Sequence, residues 1–521
     1  MRKIITAACL LTATSQTLAS TVTSHTFFSV RPNFQSAMPE RVSFFRNELL
    51  DECQGFGGAL EGVIYGGSIT DEGSRKLATF FLPPGCHTNC LNVKEYNPVL
   101  EANPANTDDG NPLKDLEARH FNIRTVNQTF SSRVCFKPWQ KVFGIGFVYK
   151  QTLSHKCDGT AGFWFEGSLP IERVENKFCL TETIFNDGGG AAKGPDGSTQ
   201  LGLDNSPRVD SMKAAFAQCN WNYGRITNQK HVKWGVADIE LKFGYNSLDC
   251  QMFAMNSYLG LILPTGTRVR GKEVFETIVG NNHHVGVSIG SALSVELWKW
   301  CTYSLTMYVD SDTRYLFSNH QLRSFDLIGK PWGRYMETYR SSEEAAAAAA
   351  ASDQNSGTSG INIFSQCVRV SPHLSSNNNT GFVLAKQSDC ASFMFEGGWN
   401  FFARQSEVVE LECNSAVSAA ALKGVNGEGT TTIARTIKNN YPNSVFTLEQ
   451  RYAAVSACDI DLESAAHPAT LSTMLYATIG YRWERECPYF ISLGGSYEFN
   501  VSEVNLPLDR WLVWGKFGMT F

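Results

Sequence analysis

The chain has 521 residues, a formal net charge of −5 and an isoelectric point near 6.1. This mildly acidic balance lacks the basic excess of nucleic-acid-binding proteins, so we predict no nucleic-acid partner. No run of about 18 apolar residues follows the N-terminal segment, which excludes a membrane-spanning helix in the mature chain. Aromatic residues make up 12% of the chain and 44 residues are glycine, a composition typical of strands and turns.

The first residues have the parts of a secretory signal peptide. Arg2 and Lys3 supply the positive charge, Ile4–Leu11 form a short apolar core, and Thr17 and Ala19 offer small residues for cleavage. A short N-terminal membrane anchor is the alternative. We therefore predict a signal peptide over residues 1–19 and an exported chain over residues 20–521.

The cysteine count also points to an exported protein. Of 15 cysteines, Cys9 leaves with the signal peptide, and the remaining 14 enter an oxidising compartment, where disulfide bonds are expected. Proximity suggests the pairs Cys86–Cys90 and Cys157–Cys179, although spacing alone does not fix connectivity. The stretch "CHTNC" lacks a second ligand pair for zinc, so we predict no metal site and no cofactor.

The N-terminal half contains two segments rich in proline and asparagine. We expect residues 20–52 and 83–116 to form either a plug inside a barrel or long loops. The later stretch 185–211, with "DGGGAAKGPDG", does not follow a strand in phosphate-loop spacing and is predicted to be a loop.

Apolar and polar residues alternate with a period of two from residue 237 onwards. The apolar face of the first such strand holds Ala237, Ile239, Leu241, Phe243 and Tyr245, and the polar face holds Asp238, Glu240, Lys242 and Gly244. A short turn at 246–251 leads to a strand over 253–263, and a long polar loop covers 264–283. The pattern returns over 285–297 and 303–309, which residues 298–300 join as a hairpin.

The next segment interrupts the strand pattern. Ser342, Glu343 and Glu344 precede seven alanines at 345–351. A capping serine followed by acidic residues favours a helix N-terminus, so we predict a low-complexity loop with a short helix over 341–360. The alternative is a helix that folds into the lumen and narrows it.

The C-terminal region contains further long strands, over 392–404, 475–483 and 489–499, and a final strand over 511–521. In that last strand one parity holds the residues Trp511, Val513, Phe517, Met519 and Phe521. The strands are about 9–13 residues long, which exceeds the globular norm of about 5–6 and matches tilted membrane strands of about 9–11. A β-sandwich also alternates, but its strands are shorter.

Loop lengths alternate as well, with short turns at 246–251, 298–300 and 484–488 and long polar stretches at 185–211, 264–283 and 414–445. Bacterial outer-membrane barrels pair short periplasmic turns with long outer loops. If 484–488 is periplasmic, Phe521 returns to the periplasmic rim. We therefore predict an all-β fold: a single closed antiparallel transmembrane β-barrel of about 12–18 strands, with 14 as the best estimate and long extracellular loops.

The terminus "KFGMTF" resembles the C-terminal signal of outer-membrane β-barrels, which ends in Phe after aromatic or apolar residues at alternate positions. It departs from that pattern in having Lys516 where glycine is often found. Together with the signal peptide and the strands, the chain resembles porins and hydrophobic-compound transporters of the Gram-negative outer membrane, and "YLGLILPTG" is similar to strand ends of such transporters. The cysteine content resembles that of the cysteine-rich major porins of obligate intracellular bacteria. The resemblance implies outer-membrane lipid and the barrel-assembly machinery as partners.

The predicted function is passage of small solutes through a polar lumen, because no nucleophile–base constellation marks a catalytic site and we predict no enzyme activity. The predicted pore-lining residues are Asp238, Glu240, Lys242, Glu296, Glu396, Arg404, Arg482 and Glu498. Five are acidic and three basic, which favours cations. The alternatives are a surface-exposed structural or adhesion barrel whose long loops bind a partner, a secreted soluble β-protein and a barrel enzyme. The solute and the oligomeric state stay open.

Overall fold

The computed structural model describes residues 24–44, 57–82, 88–95, 115–154, 162–250, 253–328, 331–341, 344, 357–388, 390–412, 419–422, 452–485, 487–499 and 509–521. The predicted signal peptide, the alanine run 345–351 and most of 83–116 and 414–445 lie outside these residues.

Strands dominate the described residues. In chain order they are β1 (Gly58–Ile69), β2 (Cys90–Lys94), β3 (Asp115–Glu117), β4 (Ser131–Phe136), β5 (Trp139–Ser154), β6 (Gly162–Lys177), β7 (Leu180–Asn186), β8 (His231–Val236), β9 (Ile239–Cys250), β10 (Phe253–Leu263), β11 (Gly286–Trp300), β12 (Tyr303–Leu316), β13 (Asn319–Ser324), β14 (Asp326–Leu327), β15 (Glu337–Tyr339), β16 (Thr358–Ser359), β17 (Ser365–Ser371), β18 (His373–Gln387), β19 (Ala391–Arg404), β20 (Val408–Leu411), β21 (Ala419–Leu422), β22 (Tyr452–Val455), β23 (Ile460–Asp461), β24 (Thr470–Trp483), β25 (Tyr489–Phe499) and β26 (Arg510–Thr520).

The described helices are short. The α-helices span Pro39–Val42, Asp71–Phe81, Met212–Ala215 and Gly360–Ile363, and the 3-10 helices span Ala118–Phe121, Leu203–Asn205, Gly333–Tyr335, Ala457–Asp459 and Leu462–Ala465. Among the described residues, no helix has the length and apolar character needed to cross a bilayer.

Twelve of the strands form a closed antiparallel barrel. Neighbours around it follow the order β5, β1, β26, β25, β24, β19, β18, β12, β11, β10, β9 and β6, and β6 pairs back to β5. The C-terminal strand closes the ring, because β26 pairs with β1 from Thr520 opposite Ala59 to Arg510 opposite Ile69. A closed ring leaves no unpaired edge, which is the requirement for a β structure in lipid.

The strand number lies at the lower limit of the predicted range, and the best estimate of 14 is wrong. A thirteenth strand, β8, pairs with Ile171–Asn176 of β6, while β9 pairs with Gly162–Ser168 of the same strand. Only Ala237 and Asp238 separate β8 from β9. β8 and β9 therefore form one bent strand that pairs along the length of β6, and together they count once around the ring.

The hairpin turns at one end of the barrel are shorter than predicted. Strand β11 continues through Trp300, and only Cys301 and Thr302 connect it to β12, so the tryptophans are part of the strand and not its tip. Strand β9 likewise continues through Cys250. We call this end, which also includes the turn at 484–488, the short-turn rim.

The outer wall is apolar along its height. Alternate side chains point outward and stay exposed, among them Leu493 at 66% and Leu259 at 65%. In the last strand the outward parity holds Trp511, Val513, Phe517 and Met519, and the terminal Phe521 is 58% exposed. A soluble protein does not present so large an apolar surface to water, whereas lipid requires one. The wall therefore faces the hydrocarbon of a bilayer.

The opposite end of the barrel carries a folded cap, which we define as the described residues within 70–136, 178–230, 264–285, 317–372 and 405–469. Its small sheets join β2, β3, β4 and β7, then β13, β17 and β20, then β15, β16, β21 and β22. Phe121, Trp221, Trp332 and Tyr335 pack together in its main core. The predicted long loops 185–211 and 264–283 therefore pack against one shared core, to which Val209, Val274 and Phe275 contribute.

One disulfide bond is present in the described residues and it lies in the cap. Cys90 of β2 bonds to Cys135 of β4, whose positions are directly opposite in the ladder. The predicted pair Cys86–Cys90 is therefore wrong, because sheet pairing places Cys90 opposite Cys135, which is 45 residues away in sequence. Cys179 is a free thiol, so the predicted pair Cys157–Cys179 is also wrong.

Candidate functional site

An N-terminal segment, residues 24–44, passes through the barrel; we call it the lumen segment. At the cap end, the Thr26 amide donates to the Ser464 carbonyl at 2.8 Å. Towards the short-turn rim, the Phe44 amide donates to the Glu396 carboxylate at 3.2 Å, and its ring lies 6.4 Å from that of Phe490. The segment therefore spans the lumen from one end to the other.

The local sequence gives this segment a compact, irregular path. Pro39 begins a single helical turn, where its fixed φ is tolerated. Phe34, Ala37 and Phe44 adopt positive φ values of 57°, 59° and 61°, which are unfavourable for residues with side chains. Such conformations persist only where surrounding contacts hold them. The wall makes these contacts, since Gly146 faces the Phe34 ring so closely that a Cβ there would lie 2.3 Å from it.

Arg41 makes the central ionic contact between the lumen segment and the wall. Its guanidinium donates to Glu166 of β6 at 2.7 Å and also to Glu240 of β9. Each carboxylate has a second cationic partner within the wall: Lys242 lies 2.9 Å from Glu166, and Arg314 lies 2.6 Å from Glu240. The wall therefore presents two oriented carboxylates to one guanidinium; we call this the Arg41 site.

Arg31 occupies a second site nearer the cap, formed by three strands. Its guanidinium donates to the Glu498 carboxylate at 2.9 Å and to the side-chain oxygens of Asn377 and Asn400 at 2.8 and 2.7 Å. It also lies 4.3 Å from the centre of the Phe402 ring. We call this the Arg31 site.

Lys516, in the last strand, holds the end of the helical turn. Its ammonium donates to the carbonyls of Arg41 at 2.9 Å and Ser43 at 2.5 Å, and lies 2.9 Å from the Glu61 carboxylate. Lysine and glutamate are both fully buried. The lysine at position 516, where glycine is often found, therefore has a structural role. A glycine there would leave the carbonyls of Arg41 and Ser43 without the ammonium donor.

The eight predicted pore-lining residues all lie on the inward parity of their strands or at a strand end. Glu240 and Glu498 contact the lumen segment as described above, and Lys242 pairs with Glu166. Glu396 accepts from Tyr308 at 2.5 Å as well as from the segment. Their predicted part in ion passage stays a prediction.

The remaining four lie towards the two ends. Asp238 accepts from backbone amides of the cap, at 2.5 Å from Asn281. Arg404 donates to the Ser29 carbonyl at 3.1 Å, again a contact with the lumen segment. Arg482 pairs with its neighbour Glu484, and Glu296 is only partly buried near the short-turn rim. These four therefore do not belong to the central ionic cluster.

Sequence reasoning missed the partners that complete the cluster. On the wall, eight buried inward acids face five buried inward bases: Glu61, Glu166, Glu172, Glu240, Asp310, Asp312, Glu396 and Glu498 against Lys150, Lys242, Arg314, Arg510 and Lys516. The signal was available for β6, where "GFWFEGSLPIE" alternates with Glu166 and Glu172 on one parity. Arg31 and Arg41 had no such signal, because a segment without periodicity does not reveal what it contacts.

A histidine cluster anchors the start of the lumen segment in the cap. The His467 ring lies 5.0 Å from the Phe28 ring, and Arg404 donates to it at 2.7 Å. Burial and, to a lesser extent, the Arg404 charge hold the pKa of His467 well below its usual range. His25 stacks on Phe80 at 4.2 Å, and burial lowers its pKa to about 4. Both histidines are therefore neutral at neutral pH.

Within the described residues, no group of three or more histidine, cysteine or acidic side chains is arranged to hold a metal ion. No protein-family model matches the chain, and no curated protein matches it by sequence.

Solved structures give weak matches over most of the chain. An outer-membrane channel from Pseudomonas putida F1 matches at 9% identity and a TM-score of 0.35, covering 95% of this chain and 100% of that one. The transport unit of the autotransporter AIDA-I from Escherichia coli matches at 6% and 0.32, covering 93% and 95%. A Pseudomonas aeruginosa FadL homologue matches at 7% and 0.26, covering 90% of each chain.

The location is therefore argued from the barrel itself. A closed ring of antiparallel strands with an apolar outer wall and a polar interior is the architecture of outer-membrane proteins. The protein is a bacterial outer-membrane β-barrel.

Proposed function

We propose that the protein is a gated outer-membrane channel, which the lumen segment closes and which passes small polar solutes when that segment is displaced. The main observation behind this proposal is that charged side chains of the inner wall contact a segment that belongs to no barrel strand. Arg31 and Arg41 fill positions between wall strands that are otherwise lined by carboxylates and amides. Removal of the segment would leave a polar passage through the barrel.

The charge balance of the wall favours cations in the open state. Eight buried inward acids outnumber five bases, while the lumen segment brings two arginines and one glutamate, Glu40, into the same space. Withdrawal of the segment therefore exposes a net negative wall. Neutralising Asp238 and Glu240 in an open variant should reduce the preference for cations.

The test is ion conductance in planar bilayers with a variant that lacks residues 24–44 but keeps the signal peptide and the strands. Heat-modifiable migration on gels first establishes that the barrel is folded. We expect the full chain to be closed and the deletion variant to give stable, stepwise currents. A second variant, with Arg31 and Arg41 both changed to alanine in the full chain, guards against a folding defect and should open intermittently.

The alternative function is a structural or adhesion barrel whose cap binds a partner. The folded cap favours this alternative function. Its sheets, packed around an aromatic core, give the cap a larger structured surface than a channel mouth needs. Absence of current from both folded variants would overturn the channel proposal and leave this alternative. For either function we propose that the barrel-assembly machinery recognises the last strand, β26, in which Phe517 and Phe521 keep the outward parity.

A further inference from the structure

The Arg41 and Arg31 sites both bind a guanidinium group, which indicates what the open lumen would bind. In each, every wall group belongs to a barrel strand, and the occupant is a guanidinium from the lumen segment. The wall therefore forms binding sites for a guanidinium group, which in this structure is supplied by the lumen segment.

The contacts match the shape of a guanidinium and not merely its charge. A guanidinium is flat and carries donors along its edges, so it bridges acceptors in one plane and stacks on aromatic rings. At the Arg31 site, Nη1 reaches Glu498 and Nη2 reaches both Asn377 and Asn400, while the Phe402 ring lies 4.3 Å from the central carbon. At the Arg41 site, two nitrogens reach carboxylates on different strands. An ammonium has no such fork or flat face.

Wall contacts orient the Glu498 carboxylate of the Arg31 site and link its two asparagines, each of which also donates to a carbonyl of the lumen segment. Ser472 and Arg510 donate to Glu498, each at 2.6 Å. The Asn400 amide donates to the Asn377 side-chain oxygen at 2.7 Å, and both residues lie in neighbouring strands of the ladder. When the lumen segment leaves, Glu498 therefore keeps both of its wall donors and Asn377 keeps the bond from Asn400, while the two amides lose the carbonyls of Ser36 and Ala37.

The same holds at the Arg41 site. Lys242 and Arg314 fix the two carboxylates from the wall side, and Lys242 and Glu166 come from adjacent strands, where they stand opposite each other in the ladder. Preorganised acceptors of this kind bind a ligand without the cost of ordering side chains.

We propose that the lumen binds solutes bearing a guanidinium group, and that the lumen segment closes the channel by occupying their binding sites as a tethered ligand. This inference rests on the proposed channel function, because solutes reach these sites only after the segment moves. The solute class is defined by its chemistry: a small molecule or short peptide that carries a guanidinium, such as free arginine.

The first test uses the open variant that lacks residues 24–44 and measures block of its current by arginine and, as the matched control, by lysine, which has the same net charge. We expect arginine to block at a concentration about tenfold lower than lysine, since charged hydrogen bonds in the planar arrangement are lost with an ammonium. Glu498→Gln in the same variant should weaken the arginine block about tenfold and the lysine block by a smaller factor, because lysine loses only the charge attraction.

The second test uses the full chain and does not depend on current. Changing both Arg31 and Arg41 to alanine removes the native guanidiniums, leaves the wall groups intact and lets the lumen open intermittently, so millimolar methylguanidinium should raise the thermal unfolding midpoint of this variant more than equimolar methylammonium does. The wild-type chain, whose sites are filled, is the control and should respond equally to both ions.

The outcomes separate the two claims. Stable current with equal block by arginine and lysine would overturn the inference and leave the channel function in place. Equal responses of the variant with Arg31 and Arg41 both changed to alanine to the two ions would also overturn it. Absence of current from a folded deletion variant would overturn the channel function, and with it the access that this inference needs.

Discussion

Substitution of Arg41 by alanine provides the sharpest test of how the lumen segment is held. The change removes the guanidinium that bridges Glu166 and Glu240 while leaving both carboxylates buried. Breaking a buried ion pair on one side costs about 3–5 kcal/mol. Because Lys242 and Arg314 still neutralise the two carboxylates, the lower limit of about 3 kcal/mol applies. This cost lowers the free energy that binds the segment in the lumen.

A loss of about 3 kcal/mol corresponds to an increase of about 150-fold in the ratio of open to closed channels. The assay is the open probability of single full-length channels in planar bilayers, compared with wild type. Arg75→Ala is the matched control, because Arg75 pairs with Glu72 at 2.6 Å on an exposed helix of the cap, where such a pair contributes at most about 1 kcal/mol. Equal open probabilities for the two variants, both shown to be folded, would refute the view that Arg41 locks the segment.

Three further predictions concern the outer wall, the cap and the orientation of the barrel. Leu493→Lys places a charge on the lipid face and should lower the free energy of unfolding in vesicles by about 2–4 kcal/mol, measured by urea titration; a loss no larger than that of Leu493→Ala would contradict a lipid contact. Because burial and the Arg404 charge lower the pKa of His467, the free energy of unfolding should fall as pH drops below about 6.5, at up to about 1.4 kcal/mol per pH unit while the folded-state histidine stays neutral, and His467→Gln should reduce the pH dependence of the unfolding midpoint. A membrane-impermeant maleimide added to intact cells should label a single-cysteine variant that retains Cys367, in the cap, and spare one that retains Cys301, at the short-turn rim; the reverse pattern would invert the predicted orientation.

The strands of the wall were predictable because one face of each strand contacts lipid and the other faces the polar lumen. Apolar and polar residues therefore alternate with a period of two. Over 285–309, each apolar residue of the pattern faces outward, and the hairpin differs from its prediction only in where the turn lies. Turns that need no glycine or proline leave a weak signal in the sequence. The pattern therefore predicts a turn at residues 298–300, although these residues continue the ladder. The strand number could not be counted from the sequence, since β8 and β9 pair with the same strand, β6, and count once around the ring.

The lumen segment and the cap were not predictable in detail, because their structure depends on contacts between residues far apart in the chain. Arg31 and Glu498 are 467 positions apart, and nothing near either residue identifies the other. The same applies to Cys90 and Cys135, which proximity in sequence paired wrongly. Irregular segments take their conformation from the surface they meet, so their positive φ values, as at Phe34, follow from the wall and not from the local sequence.

The path of residues 24–44 through a ring that closes only at β26 constrains the order of assembly. The segment leaves the ribosome first, whereas the strand that completes the ring is made last, and Lys516 of that strand bonds to the Arg41 carbonyl across 475 positions. Once β1 and β26 have paired, entry to the interior is confined to the two ends, one of them covered by the cap. Placement of the segment before the ring closes avoids passage through these ends, whereas its displacement in the assembled channel has to proceed through one of them.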